Sequence, residues 1–477
     1  MLPFFKSLFR CKMPTGHRDD DVHPETRSHN LKPVLSALDL TLMGIGAIIG
    51  TGIFVLTGTV AATQAGPAVV LSFVVSGLAC GFAALAYAEL ASSVKGCGSA
   101  YGYSYAAFGE MVAWIIGWIL LLEYGVAVAT VANGWSGYFA NIMTAIGLEI
   151  PYAYLHSPEN GGIANIPAAT IILVLMCMLL VGLRQSVRLN AAMVFIKLLT
   201  IFVFIAVALF NVQPELWSPF MPFGWFEKMP DGSTVGILAG ASVVFFAYVG
   251  FDAVSTAVEE AKNPQRTIPI GILTSLLVCT LIYMVVAGLL TGIVPYTELD
   301  VSSPVAYALQ LLGINWASAL VATGVIAGLT TVMLVLYYAL TRVIFAMSRD
   351  GLLPPLLSKI NPKSNSPVVA TIMCGLIMSS MAGLLPLKKL AELVNIGTLS
   401  AFTLVCAGVI ALRIKNPDLP RPFKIPGGVI LPLLGVFSCG SLIFFLPDTT
   451  HSMFLKWLGL GVLIYFAYSF RHSRLNG

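Results

Sequence analysis

Charged residues are scarce in this chain: Asp, Glu, Lys and Arg make up only 10% of its 477 residues. Soluble domains carry about 25% charged residues, so this composition excludes an ordinary water-soluble fold. The net charge of +4 is small and dispersed along the chain, which excludes the basic patch of a nucleic-acid-binding protein. Because hydrophobic residues make up 57% of the chain, we predict a protein that crosses a membrane many times.

Groups that bind metals are equally scarce. All six His lie outside the apolar segments, and no Cys or His spacing typical of a metal site occurs. Most of the eight Cys lie within or at the ends of apolar segments, whereas Cys11 and Cys97 lie on the predicted cytoplasmic side. We therefore expect no metal, no cofactor and no disulfide-linked partner. No nucleophile and base can be placed together in the membrane, so we do not expect an enzyme.

Long apolar segments are what the chain has instead. An apolar run of about 20 residues is long enough to cross a bilayer as a helix. If the N-terminus is cytoplasmic, every second segment between these runs is cytoplasmic as well, and Lys and Arg concentrate in those segments. The positive-inside rule therefore puts both termini in the cytoplasm. Twelve runs are predicted as spans, at residues 39–64, 67–90, 111–140, 166–183, 188–211, 235–257, 269–294, 316–345, 367–385, 390–412, 429–446 and 453–470.

Residues 1–30 precede the first span and are predicted to form a cytoplasmic arm. Between Leu2 and Arg10, Leu and Phe are interleaved with Lys and Arg. This pattern fits a short helix in the headgroup region or, equally, a disordered tail. We expect no cleavable signal peptide, because the first apolar run is long enough to be a full span.

Two predicted spans contain glycine-rich interruptions near their centres. The first span reads GIGAIIGTGIF over Gly44–Phe54, and the sixth reads FFAYVGFDAV over Phe245–Val254. Glycine favours unwinding, and backbone unwound at mid-membrane has to line a cavity or lie buried in protein. Interruptions at corresponding places in two halves indicate a transporter built from inverted repeats. Close helix packing through Gly46 and Gly50, which have GxxxG spacing, is the alternative.

Five segments together resemble a known family. From Leu31 to about Tyr468 the chain is similar to bacterial members of the cationic amino acid transporter family, within the amino acid, polyamine and organocation superfamily. It departs from that family at 339–341, where Ala-Leu-Thr stands in place of the Gly-Gln that commonly precedes the Arg of the span 8 motif. The matching segments are LDLTLMGIGAIIGTGIFVLTG (Leu38–Gly58), GSAYGYSYAAFGE (Gly98–Glu110), FFAYVGFDAVSTAVEEAKNPQRTIPIGI (Phe245–Ile272), FAMSRDGLLP (Phe345–Pro354) and RPFKIPGG (Arg421–Gly428).

The resemblance implies an all-α membrane protein of the leucine-transporter type, with twelve transmembrane helices and with helices 1 and 6 unwound at mid-membrane. It implies two inverted repeats of five helices, at 31–212 and 213–415, followed by two helices and a cytoplasmic tail at 416–477. Members of the family carry amino acids by alternating access. We therefore expect a bacterial inner-membrane protein in contact with lipid and an amino acid. Whether a small single-span membrane subunit is a further partner stays open at this point.

The ends of the interrupted helices suit the two charged groups that all amino acids share. Backbone N–H groups at Gly50, Thr51 and Gly52 begin the second half of span 1, where a helix N-terminus favours an anion such as a carboxylate. Carbonyls that end the first half of span 6, with others from span 1, are expected to accept from the substrate ammonium. These carbonyls belong to Phe245, Phe246, Ala247 and Tyr248 and to Ile45 and Ile48.

Two acidic residues well inside the spans, Glu123 and Asp252, are candidates for recognising a substrate side chain. For Glu123 the alternatives are pairing with Lys197 or hydrogen bonding to Thr51. For Asp252 the alternative is capping the second half of span 6. We therefore expect cationic or small neutral L-amino acids as substrates. A sensor that binds an amino acid without transporting it would keep the same backbone groups and is the remaining alternative to a carrier.

Lys197 is the one basic residue in the middle of an apolar span, where a charge costs about 2.5–3.5 kcal/mol. In sodium-coupled proteins of this fold a sodium ion lies between spans 1 and 8, and the resemblance implies that the Lys197 ammonium takes its place. Burial favours the neutral amine, so proton release coupled to opening is predicted. A permanently charged lysine, with exchange or facilitated transport, is the alternative. The expected partners of the ammonium are carbonyls near Gly46 and Ala47 and a hydroxyl of Thr330 or Thr331.

Aromatic side chains near the interruptions are candidate gates. Phe246, Tyr248 and Phe251 lie at the span 6 interruption and are expected to close over the substrate from outside, or else to face lipid or another helix. Tyr101 lies between spans 2 and 3, and the resemblance places it in a re-entrant segment at the inner gate. An interfacial aromatic belt is the alternative explanation for this tyrosine.

Overall fold

The computed structural model describes residues 35–94, 100–181, 187–230, 234–252, 254–255, 261–361 and 367–474. These residues form a bundle of helices and a small antiparallel sheet, and a helical segment overlaps each predicted span. The predicted arm at 1–30 lies outside the described residues. Within the described ranges, seven helical stretches are long and apolar enough to cross a membrane, and five apolar helices are shorter.

The first half of the chain contains seven α-helices in its described parts. They are α1 (Ala37–Ile48), α2 (Thr57–Val60), α3 (Val69–Ser93), α4 (Ala100–Ala107), α5 (Glu110–Ala145), α6 (Ile166–Val181) and α7 (Val187–Leu209). Two π-helical turns flank α2, at Gly52–Leu56 and Ala61–Ala65. Shorter 3-10 turns lie at Gly66–Ala68, Tyr152–Tyr154, Pro158–Asn160 and Pro214–Trp217.

The second half begins with the sheet, in which β1 (Glu227–Lys228) pairs with β2 (Thr234–Val235). The helices that follow are α8 (Ile237–Val244), α9 (Pro264–Ile293), α10 (Pro304–Leu311), α11 (Asn315–Arg349), α12 (Val368–Leu384), α13 (Leu387–Lys415), α14 (Ile430–Phe444), α15 (Asp448–Ile464) and α16 (Phe470–His472). The sequence analysis did not predict α10, which lies between spans 7 and 8. Helical turns also occur at Phe245–Tyr248, Tyr296–Glu298, Pro355–Ser358 and Tyr465–Ser469.

The start of α1 is fixed by a capping box. The Ser36 hydroxyl accepts from the Asp39 N–H at 3.3 Å, and the Asp39 carboxylate accepts from the Ser36 N–H at 2.9 Å. These reciprocal bonds satisfy N–H groups that have no acceptor inside the helix. The Lys262 N–H also donates to the Leu35 carbonyl at 2.8 Å, which joins this end of α1 to the segment before α9.

The interior of the bundle is built around α5, the most completely buried of the long helices. It packs against α11 and α13, while α1 packs against α7 and α9. Helices α6, α14 and α15 lie at the periphery and expose large apolar side chains. Such surfaces mark contact with lipid or with another protein. Examples of these exposed side chains are Val174, Phe437, Phe444, Leu455 and Leu463.

A buried ion pair joins the C-terminal ends of α3 and α13. Arg413 donates from Nε and Nη2 to the two carboxylate oxygens of Glu89, at 2.9 and 2.5 Å. The Ile425 N–H donates to the same carboxylate at 2.8 Å, and Arg421 Nε lies 3.6 Å from it. The Glu89 side chain is only 3% exposed, so these partners replace the water that its charge would otherwise need.

Candidate functional site

The helix at predicted span 1 is interrupted between Ile48 and Gly52. After α1 ends at Ile48, Ile49 has an extended backbone with φ −70° and ψ 104°, and helical structure resumes with the turn Gly52–Leu56. The last carbonyls of a helix have no donor, and its first N–H groups have no acceptor, within that helix. The interruption therefore presents both kinds of backbone group within a few residues.

The helix at predicted span 6 is interrupted after Tyr248. Helix α8 continues into the turn Phe245–Tyr248, after which Val249 leaves the helical conformation, with φ −59° and ψ 132°, and Gly250 has a φ of 115°. Glycine adopts such a φ without strain because it has no Cβ. Residues 253 and 256–260, which include the acidic pair Glu259 and Glu260, lie outside the described residues.

Glycines let the two interruptions contact each other. A Cβ at Gly250 would lie 3.0 Å from the Ala47 carbonyl oxygen, and a Cβ at Gly52 would overlap the Cα and Cβ of Ala247. The N–H end of one broken helix therefore lies against the carbonyl end of the other. The predicted clamp residues are all buried, namely Ile45, Ile48, Gly50, Thr51, Gly52, Phe245, Phe246, Ala247 and Tyr248.

A side chain that the sequence analysis missed bridges the two interruptions. The Tyr283 hydroxyl, from α9, lies 2.9 Å from the Ile48 carbonyl oxygen and 2.8 Å from that of Ala247, in hydrogen-bonding geometry with both. A polar group inside an apolar span was the available signal. Nothing in the sequence indicated which face of α9 would carry it.

Lys197 extends from α7 to the interruption in span 1. It is 1% exposed, and its ammonium donates to the carbonyls of Gly46 at 2.7 Å and Ile49 at 3.2 Å. Gly46 is one of the predicted positions, and Ile49 stands in place of Ala47. The aliphatic part of the lysine lies against α11, where a Cβ at Gly328 would come within 2.8 Å of it.

The two α11 hydroxyls that we expected near this ammonium bind elsewhere. Thr330 donates to a carbonyl of its own helix at 2.8 Å and accepts from the Trp135 indole at 3.0 Å. Thr331 donates to the Gly328 carbonyl at 2.7 Å. Neither hydroxyl is hydrogen-bonded to Lys197, because the backbone of α11 already holds each one. The part of α11 that contacts the lysine is Gly328.

Glu123 and Asp252, the two acidic candidates, are both buried and are electrostatic neighbours. The Tyr124 hydroxyl donates to Asp252 at 2.7 Å. Glu123 is 1% exposed, and its carboxyl group lies near the Thr398 hydroxyl of α13 without a well-formed hydrogen bond to it. The structure therefore pairs Glu123 with neither Lys197 nor Thr51, the two partners that we considered for it. Thr51 is fully buried and packs against Gly134 of α5.

The aromatic residues at the span 6 interruption point into the protein. Phe246, Tyr248 and Phe251 are all buried. The Tyr248 hydroxyl donates to the Phe73 carbonyl at 2.8 Å, and the Phe251 ring lies 4.9 Å from that of Phe402 on α13. Of the alternatives considered for these rings, exposure to lipid is therefore excluded.

Tyr101, the predicted inner-gate residue, is linked through Asp350 to two other segments. Its hydroxyl donates from α4 to the Asp350 carboxylate, just after α11, at 2.8 Å. The Arg474 N–H, near the C-terminus, donates to the Asp350 carbonyl at 3.2 Å. Because Tyr101 is buried, an exposed position in an interfacial belt does not describe it.

Two further polar residues of the interior escaped prediction. Asn395 of α13 donates from its amide to the carbonyls of Ser242 and Val243, in the last turn of α8, at 2.8 and 2.9 Å. Tyr124 holds Asp252, as described above. Both are polar groups in apolar spans, which was a sufficient signal to select them as candidates but not to assign their partners.

Comparison with known sequences now identifies the family. The profile of the amino acid permease family matches residues 35–463, which include both interruptions and Lys197. The chain belongs to this family. The superfamily predicted from the five matching segments, that of amino acid, polyamine and organocation transporters, is thereby confirmed.

Several named proteins resemble this permease along most of their length. The branched-chain amino acid permease BcaP of Bacillus subtilis (strain 168) is 50% identical over 452 residues, 94% of this chain and 95% of that protein. The methylthioribose transporter of the same organism is 45% identical over 472 residues, 98% of this chain and 99% of that protein. Cationic amino acid transporter 4, vacuolar, of Arabidopsis thaliana is 38% identical over 392 residues, 82% of this chain and 65% of that protein.

These names describe permeases and transporters rather than enzymes. Together with the apolar helices, the family membership makes the permease an integral membrane protein.

Proposed function

We propose that this permease is a secondary active transporter that moves L-amino acids across the inner membrane by alternating access. The contact between the two interruptions carries the proposal: the helix that begins at Gly52 lies against the carbonyl turn that contains Ala247. Helix N-termini stabilise a carboxylate, and the carbonyls that end a helix accept from an ammonium. An amino acid carries both groups on one carbon, so these two ends suit it whatever its side chain.

The proposed architecture has twelve transmembrane helices, with inverted repeats at 31–212 and 213–415, two further helices at 416–477 and both termini in the cytoplasm. Helix packing supports the repeats. Helix α3 packs on α9, α5 on α11 and α6 on α12. Each pair joins helices five predicted spans apart, as expected of halves related by a pseudo-two-fold axis.

Neutral aliphatic L-amino acids are the substrates that we propose, with cationic ones as the alternative. Phe251 and Phe402 place an apolar surface near the interruption, and Tyr124 already donates to the Asp252 carboxylate. The relative at 50% identity is named for branched-chain amino acids. The relative at 45% identity is named for methylthioribose, which has neither a carboxylate nor an ammonium to bind the two helix ends. Glu123 remains a counter-charge for a cationic side chain.

A thermal-shift screen of the purified permease followed by counterflow tests this proposal. A ligand that binds the folded state raises the unfolding temperature as its concentration rises. We expect Leu, Ile, Val or Ala to do so, and the same amino acid to show counterflow in proteoliposomes. Stabilisation without counterflow would indicate a sensor. Stabilisation by methylthioribose alone would refute an amino acid substrate, and stabilisation by Lys or Arg alone would favour the cationic alternative.

Coupling to protons, without sodium, completes the proposal. The Lys197 ammonium already supplies a positive charge to the Gly46 and Ile49 carbonyls, and Glu123 is a second buried ionisable group without a cationic partner in the described structure. Intramembrane ionisable groups of this kind form proton relays in transporters. Accumulation in proteoliposomes should require an inward proton gradient. Equal accumulation with and without the gradient would indicate exchange or facilitated transport instead.

A further inference from the structure

One hydroxyl contacts carbonyls from both helix interruptions. Tyr283 Oη lies 2.9 Å from the carbonyl oxygen of Ile48, the last residue of α1, and 2.8 Å from that of Ala247. The proposed function assigns both carbonyls to the substrate ammonium. Tyr283 is fully buried, and its ring packs against those of Phe73 and Tyr248, each with centroids 5.4 Å away. The surrounding rings therefore hold the hydroxyl between the two carbonyls.

We infer that Tyr283 is a positioning residue whose hydroxyl replaces the substrate ammonium when the carrier closes without a substrate. The inference rests on the proposed function. A buried carbonyl that faces no donor destabilises the closed protein, and at mid-membrane no bulk water can serve. In the loaded carrier the substrate ammonium donates to the Ile48 and Ala247 carbonyls. In the empty carrier a donor for these carbonyls has to come from the chain itself, and the Tyr283 hydroxyl lies within hydrogen-bonding distance of both.

The number of protons on each donor explains why the substrate can displace the hydroxyl. A phenol has one proton to share between two carbonyls, whereas an ammonium has three. Hydrogen bonds from a charged donor are also stronger than those from a neutral one. The substrate therefore satisfies Ile48 and Ala247 better than Tyr283 does. The hydroxyl permits closure without substrate but does not prevent binding.

Net uptake and counterflow should depend differently on the Tyr283 hydroxyl. Net uptake requires the empty carrier to return across the membrane, whereas counterflow uses only loaded carriers. Tyr283→Phe removes the hydroxyl and keeps the ring. Because an unsatisfied buried carbonyl carries a large penalty, we expect net uptake to fall about tenfold or more while counterflow stays within about twofold of wild type.

Tyr337→Phe is the matched control. Tyr337 is also fully buried, and its hydroxyl donates to the Thr371 carbonyl at 2.5 Å, between α11 and α12 and away from the interruptions. This variant should change net uptake and counterflow in equal proportion. If Tyr283→Phe also changes both in equal proportion, or changes neither, the inference is refuted.

A second variant keeps the test decisive if Tyr283→Phe does not fold. Phe73→Leu retains the hydroxyl but removes one of the rings that orient it, so the same uneven loss is expected, to a smaller degree. Equal losses in the two modes would again refute the role of Tyr283. The proposed function is tested separately by the wild-type protein, because an absence of counterflow there would refute the carrier itself.

Discussion

The position of Lys197 depends on the absence of one methyl group. A Cβ at Gly328 would lie 2.8 Å from Cγ and Cε of the lysine, which is too close for non-bonded carbon atoms. Gly328→Ala should therefore displace the ammonium from the Gly46 and Ile49 carbonyls, although alanine favours the helix by about 1 kcal/mol. Because a hydrogen bond to a charged group contributes about 1.5–3 kcal/mol, we expect amino acid uptake per folded transporter to fall about tenfold. Uptake by proteoliposomes measures this.

Gly81→Ala provides the control for that substitution. Gly81 lies in α3, and no atom would contact a Cβ there within 4 Å. This variant should transport like the wild type. If Gly328→Ala transports as well as Gly81→Ala does, the position of the Lys197 ammonium is not important for transport.

At the scale of elements, the span 6 interruption requires a glycine. Gly250 has a φ of 115°, and a Cβ there would lie 3.0 Å from the Ala47 carbonyl oxygen. Gly250→Ala should lower the free energy of unfolding by about 1–3 kcal/mol, the usual cost of such a backbone conformation for a residue with a Cβ. Thermal unfolding in detergent measures the loss. Gly440→Ala in α14, where a Cβ would meet open space, should leave the midpoint unchanged. Equal midpoints for the two variants would contradict this account.

The buried Glu89–Arg413 pair, which joins α3 and α13, should contribute far more to the free energy of unfolding than an exposed ion pair does. Arg413→Met leaves a carboxylate that is 3% exposed without its main partner, and such losses cost about 3–5 kcal/mol. Lys389→Met breaks the exposed pair with Glu159, whose side chains are 40% and 45% exposed, at a cost of about 0–1 kcal/mol. Thermal unfolding of both variants makes the comparison. Similar shifts would show that the buried pair contributes no more than the exposed one.

At the scale of the whole molecule, the charge balance of the interior predicts independence from sodium. The Lys197 ammonium already donates to the carbonyls of Gly46 and Ile49. A sodium ion bound to these carbonyls would therefore be repelled by the positive charge of the ammonium. Replacing all external sodium by potassium, at constant proton gradient, should leave the initial rate of uptake unchanged. A fall in rate on removal of sodium would place a cation site elsewhere in the bundle.

The helical membrane-protein class was predictable from the sequence because most residues of each predicted span are apolar. The interruptions were predictable too, since Gly50, Gly52 and Gly250 stand where an apolar helix would otherwise continue. Lys197 was identifiable as a candidate because a basic residue at that depth is rare. Short α10 was missed, because eight residues between two spans give no comparable signal.

The sequence by itself therefore determined the protein class and selected the glycine-rich segments of predicted spans 1 and 6 as the candidate interruptions. Only the tertiary structure decided which groups meet: Gly328 rather than Thr330 or Thr331 beside Lys197, Tyr283 between Ile48 and Ala247, and Tyr124 on Asp252. The physical reason is that the sequence does not fix the rotation of each helix about its own axis. A membrane helix that is apolar on every side has no strongly polar face to fix its rotation, so packing against its neighbours decides where each polar side chain points.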